Sequence, residues 1–138
     1  MTPDQIRCVQ ESFDKLAPQA TAIGRAFYDR LFALAPEVRP LFRGDLHAQQ
    51  TMLVNTLNLV VNNLHTPDKI LPTVQNLGAR HAGYGADPEH YSVVGQALID
   101  TLRDFLGSEW RAEEQQAWTA AYGLLADLMV QAQTGAAA

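Results

Sequence analysis

Few side chains in this sequence could do chemistry, and two that could share one stretch, QNLGARHAGYGADPEHYSVVGQAL, residues 75–98. His81 ends an apolar helical stripe, and ten residues later Tyr91 opens another of the same kind. An imidazole can ligate a metal, move a proton or sit satisfied in a core, and His81 taken alone reads as an ordinary core or surface residue. Two further polar groups fall inside apolar stripes. Gln49 lies between Leu46 and Leu53, close enough in helical spacing to share their face. Tyr28 sits beside Phe27 and Phe32. Either could be a surface group, an exposed amide or a tyrosine whose tip reaches water. Buried, each would need a hydrogen-bond partner.

These residues must be positioned by helices, because the chain offers nothing else. Thr2-Pro3-Asp4-Gln5 reads as a helix start, with a hydroxyl cap, proline at the first helical position and a glutamine to close the capping box. Ile6, Val9, Phe13 and Leu16 follow at helical spacing until Pro18, and Cys8, Ser12 and Lys15 fall on the polar side, so Cys8 is expected as a surface thiol. A second helix carries Ile23, Phe27, Leu31 and Leu34 and is stopped by Pro36. PEVRPLF, residues 36–42, has room for a turn or two of helix. A long helix carries Leu46, Leu53, Leu57, Val60, Val61 and Leu64 and closes before HTPD, and Ile70, Val74, Leu77, Gly78 and His81 form the next stripe. Asp87-Pro88 caps a helix with Tyr91, Val94, Leu98, Leu102 and Phe105, ended by Gly107. The last helix runs from about Arg111 through Trp118, Tyr122, Leu125 and Met129, and TGAAA is expected to fray. No alternating run bounded by hairpin dipeptides appears. About seven helices packed as one all-α domain over residues 1–138 are expected.

Composition narrows the function. The chain has 138 residues, 47% apolar and 18% charged, with a net charge of −5. That balance excludes a disordered chain and disfavours nucleic acid, which requires a basic face. No run approaches a membrane span and no secretory leader is visible. One cysteine excludes an internal disulfide, and the chain is expected to be cytoplasmic. There is no Gly-rich phosphate loop, no paired-cysteine knuckle and no His-Glu-x-x-His.

What remains is the set Tyr28, Gln49 and His81. Hydrogen-bonding groups facing an apolar interior would suit a small polar ligand held on a buried metal. One histidine cannot hold a metal unaided. Haem supplies four nitrogens and leaves a position for an imidazole, and without Cys-x-x-Cys-His it would be held noncovalently, as haem b.

With Phe27-Tyr28, PEVRPLF, Gln49, Leu53, His81 and HYSVVGQAL in view, the chain resembles a globin, most closely the bacterial single-domain globins and the globin domain of flavohaemoglobins. The likeness covers about residues 3–133, with spacings of fourteen from Tyr28 to Phe42, seven to Gln49 and ten from His81 to Tyr91. The resemblance implies the globin fold around a haem pocket. It makes His81 the axial iron ligand and puts Phe42 on the haem face. Tyr28, Gln49 and Leu53 would form the distal pocket, and Val94 would press on the porphyrin. Tyr91 would lie behind His81. Arg80 is either a propionate partner, since guanidinium and carboxylate pair well, or an ordinary solvated charge.

One position departs from the flavohaemoglobin pattern, where a glutamate on the last helix joins the histidine and tyrosine. Here it is Gln133. A neutral amide can orient an imidazole but does not draw on its proton as a carboxylate does. The chain also stops where flavin and nicotinamide domains would begin, so turnover is expected to borrow electrons from a separate reductase. The resemblance thus implies a haem protein that binds O2 reversibly for scavenging or storage. NO and CO would be further ligands, and nitric oxide dioxygenation would be open to it with an external reductase. A haem-based gas sensor is the alternative.

Overall fold

The computed structural model describes residues 1–41, 44–69, 72 and 90–137, with residues 41, 67 and 130–137 described by their backbone alone. All regular structure among these residues is helical. Five α-helices appear: α1 (Pro3–Leu16), α2 (Ala20–Leu34), α3 (Leu46–Asn62), α4 (His90–Leu106) and α5 (Ala112–Ala137). Short 3-10 turns at Ala17–Gln19, Pro36–Leu41, Pro67–Lys69 and Gly107–Glu109 join or extend them. The stripe expected from Ile70 to His81 lies outside the described residues.

Local signals set most of the boundaries. Thr2 Oγ1 accepts from the Gln5 backbone N–H, and the Gln5 side chain accepts in return from Thr2, closing the expected capping box. Pro36 ends α2, and with Pro40 it confines the following segment to a 3-10 helix. Asp45 caps α3, its carboxylate accepting from the His47 N–H at 2.9 Å. Gly107 has φ +61°, the left-handed conformation that ends α4. TGAAA does not fray from its first residue: α5 continues to Ala137, where alanine is a strong helix former.

The core sits where α1 packs on α5 and α2 packs on α4, with α3 laid against α2. Val9, Leu16, Leu31, Thr101 and Leu102 are the largest of its fully buried side chains, and each large apolar one contributes about 1.5–3 kcal/mol by leaving water. Thr101 donates its hydroxyl to the Ala97 carbonyl at 2.7 Å, so its burial leaves no polar atom unanswered. The Gln10 amide donates to the Val61 carbonyl at 3.0 Å and ties α1 to α3. Arg30 pairs with Asp104 and Asp100, linking α2 to α4 at the surface.

Two expectations about faces need correction. Leu34 is 47% exposed and does not join the core, because α2 ends there and the chain turns away. The face of α1 carrying Cys8 and Ser12 is no free surface but the seam with α5. Ser12 is buried, accepting from the Trp118 indole N–H at 2.9 Å and donating to the Cys8 carbonyl at 2.7 Å. The Cys8 thiol donates to the Glu114 carboxylate at 3.6 Å, and Arg111 donates to the other oxygen of Glu114 at 2.9 Å. The ring of Phe13 tilts against Trp118 at 6.3 Å between centroids.

Candidate haem site

On one side of the candidate site α2 presents three consecutive ring contacts. Phe27 meets Tyr28 edge-on at 4.9 Å, Tyr28 lies 6.0 Å from Phe32, and the Arg39 guanidinium stands 5.1 Å over the Phe32 ring. This packing fixes Tyr28, which is only 5% exposed. Burial pushes its phenol up to about 12, so the hydroxyl keeps its proton and remains a donor through the physiological range.

Helix α3 comes close to α2 at Gly24, where an added Cβ would stand 3.4 Å from the Gln50 Cβ and 3.6 Å from a Val54 methyl. That approach brings the first turns of α3 to Tyr28. The Tyr28 hydroxyl points to the Gln49 backbone carbonyl at 3.5 Å, the outer limit of a hydrogen bond. Gln49 and Leu53 are both half-buried. Of the three residues expected together from the sequence, the structure sets Tyr28 beside the Gln49 backbone, and Leu53 follows one turn further along α3.

The start of α4 carries two more of the candidate residues. Tyr91 lies in its first turn and is buried, which raises its phenol above the ordinary value. Val94, one turn on, is half-buried. Tyr122 on α5 donates its hydroxyl to the Tyr91 carbonyl at 2.7 Å, and burial raises its phenol too. The ring passes over Gly95, where any side chain would put a Cβ 2.6 Å from Cε2 of Tyr122. Sequence reading placed Tyr122 in a stripe and missed this tie. The signal was there: a tyrosine on an apolar stripe needs a partner for its hydroxyl.

His81, Arg80 and Phe42 lie outside the described residues. So does the side chain of Gln133, although α5 runs through that position as a helix.

The residues present fit a flat apolar group with a polar ligand on one face. Phe32, Leu46 and Leu53 from α2 and α3, and Val93, Val94 and Leu128 from α4 and α5, are packed on the core yet only partly covered. Apolar side chains held in this way can take up a macrocycle by the same burial that builds the core, and Tyr28 adds a fixed donor on the α2 side.

The globin family model matches residues 25–129, which includes every described residue of this site. The chain belongs to the globin family. Membership implies haem iron as the prosthetic group. Among the relatives of this globin is the flavohemoprotein of Bacillus subtilis, 31% identical over 128 residues, covering 91% of this chain and 32% of that one. The flavohemoprotein of Bordetella bronchiseptica is 32% identical over 133 residues, covering 94% of this chain and 33% of its own. The chain thus spans about a third of the length of the curated relatives it matches. A solved bacterial globin from Campylobacter jejuni shares the fold, with a TM-score of 0.87 at 22% identity and 97% of each chain covered. An engineered carbene transferase from Rhodothermus marinus, whose parent carries a provisional description as a nitric oxide dioxygenase, has a TM-score of 0.91 at 25% identity. That alignment covers 98% of this chain and 94% of the other. Among the described residues of this globin, no helix is long and apolar enough to cross a membrane.

Proposed function

We propose that this globin is a reversible O2-binding haem protein in which His81 is the axial ligand and Tyr28, assisted by Gln49, is the donor to the ligand. Bound here, noncovalent haem b supplies the iron that takes a diatomic gas. The chain's own residues do the rest. In this reading Leu53 and Val94 would cover the macrocycle, Phe42 and Arg80 would be further haem-binding residues, and Tyr91 would support His81. With a separate reductase to return electrons, the same pocket would support nitric oxide dioxygenation, the activity named in the description of the Rhodothermus neighbour.

The observation that carries this reading is the buried Tyr28 hydroxyl, kept protonated by burial and held at the α3 turn that bears Gln49. A neutral donor fixed in an apolar wall favours a ligand that gathers negative charge on its outer atom, and O2 does so far more than CO. A hydrogen bond to a charged acceptor is worth about 1.5–3 kcal/mol. Tyr28→Phe should therefore speed O2 release by roughly one to two powers of ten while leaving CO release nearly unchanged, read by stopped-flow ligand replacement. Equal acceleration of both gases would mean that Tyr28 acts by its size, and the donor role would fall.

A further inference from the structure

Arg39 is an exposed cation set against a ring, and from that ring a series of aromatic contacts leads inward. Its guanidinium stands 5.1 Å from the Phe32 centroid, within reach of a cation–π contact. Phe32 is half-buried, and its ring lies 6.0 Å from that of Tyr28 at a tilt of 38°. Tyr28 in turn is met edge-on by Phe27, which is 2% exposed. The series runs from a charge in water to the core, and Tyr28 is the ring in it that carries a hydroxyl. Its bond to the Gln49 carbonyl, at 3.5 Å, is weak, so the ring contacts add to what places the phenol.

The turn that bears Arg39 is itself held, packed against α2. Val38, just before Arg39, is 3% exposed, and its N–H donates to the Ala35 carbonyl at 3.1 Å. Pro40, just after, has its own φ locked, and Pro36 opens the turn. Arg39 therefore starts from a backbone with little freedom. A planar guanidinium also stacks on an aromatic face in a way that an ammonium, a compact point charge, does not.

We propose that Arg39 is a positioning residue for the Tyr28 hydroxyl, acting through Phe32, and that it thereby helps the pocket to favour O2 over CO. This rests on the reading of Tyr28 as the donor to the bound gas. The cation holds the Phe32 ring, and that ring limits the tilt of Tyr28. A hydrogen bond weakens steeply as its angle closes, so a phenol free to rock would give less to a charged acceptor. CO gathers little charge and would register the change least. In this role Arg39 need not touch the gas.

Stopped-flow release of O2 and CO from the haem-loaded protein, together with NMR of its diamagnetic ferrous CO complex, tests the role. Arg39→Gln should speed O2 release about two- to fivefold, the range of an exposed cation–π contact, and leave CO release as in the parent. Arg39→Lys should fall between the two. Phe32→Leu should reproduce the O2 effect, and adding Arg39→Gln to it should change little. In the Tyr28→Phe background Arg39→Gln should have no effect on O2 release. The NMR arm does not depend on gas release: Overhauser contacts between the Phe32 and Tyr28 ring protons should weaken in Arg39→Gln and persist in Arg39→Lys. O2 release in Arg39→Gln equal to the parent's, or ring contacts unchanged by it, would overturn the proposal. So would equal acceleration in the Tyr28→Phe background, which would mean that Arg39 acts by its charge. Failure of the donor reading looks different: Tyr28→Phe alone would speed both gases alike while the ring contacts still answered to Arg39, and the gas preference assigned to Arg39 would fall with it.

Discussion

The seam between α1 and α5 and the wall between α2 and α3 both place polar side chains among apolar ones, and they do so to different ends. In the seam the polar atoms answer one another. The Trp118 indole donates to Ser12, Ser12 donates to the Cys8 carbonyl, and Glu114 accepts from Cys8 and Arg111. In the wall, Tyr28 faces a backbone oxygen at 3.5 Å, and Gln49 and Leu53 are only half covered. A closed polar circuit holds two helices together. A buried donor on a half-covered apolar wall suits a ligand.

Perturbing each region separately should sharpen that contrast. The largest effect belongs to the haem side. His81→Ala should largely abolish haem retention, whereas His47→Ala, His65→Ala and His90→Ala should retain it, as read from haem content after purification. Full retention in the His81 variant would remove it as the axial ligand. On the seam, Ser12→Ala leaves the Trp118 N–H buried without its acceptor and should cost about 1–3 kcal/mol, measured as a shift in the urea midpoint. Its O2 release rate should match that of the parent. A seam variant that altered gas release as strongly as Tyr28→Phe would erase the distinction between the two regions.

How much of this was legible depended on the distance between partners in sequence. The capping box at Thr2 and Gln5, the stop at Pro36 and the turn at Gly107 were readable because cause and effect lie within four residues. Ser12 and Trp118 are 106 residues apart, and nothing in either neighbourhood names the other. Ser12 therefore looked like one of several small polar residues on an outer face. Tyr28 and Gln49 stand out because apolar neighbours would make a buried hydroxyl and amide costly, a signal that survives without knowing the partner. The same argument applied to Tyr122 and would have found its bond to Tyr91.

Acid should reveal the seam more gently. Burial works against the Glu114 carboxylate, but the hydrogen bond and charge of Arg111, with a smaller part from Cys8, outweigh it and hold the carboxyl below the usual glutamate value. A lowered folded value means that the contribution to stability is present above the unfolded value and fades as pH falls through the folded one. Glu114→Gln should therefore flatten the acid limb of a plot of Tm against pH, and an unchanged limb would place acid sensitivity elsewhere.

The smallest effect is expected at Gln133. The helix runs through that position, and the resemblance to flavohaemoglobins would have a carboxylate there join Tyr91 behind His81. Gln133→Glu should raise the iron–histidine stretching frequency of the ferrous protein at mildly alkaline pH, where a carboxyl is ionised even if its pKa is raised. Coincident resonance Raman spectra would limit the histidine's backing to Tyr91.

The bond from Cys8 to Glu114 has a consequence for chemical durability. Burial first, and then the neighbouring Glu114 carboxylate, push the thiol up to about 11. An ordinary cysteine is a few per cent thiolate at neutral pH, whereas one near 11 is so for only about one molecule in ten thousand. Thiolate is the form that oxidants and alkylating agents attack. The chain thus carries its single thiol in the protonated state that such agents attack least, with the same carboxylate that joins two helices serving as its shield.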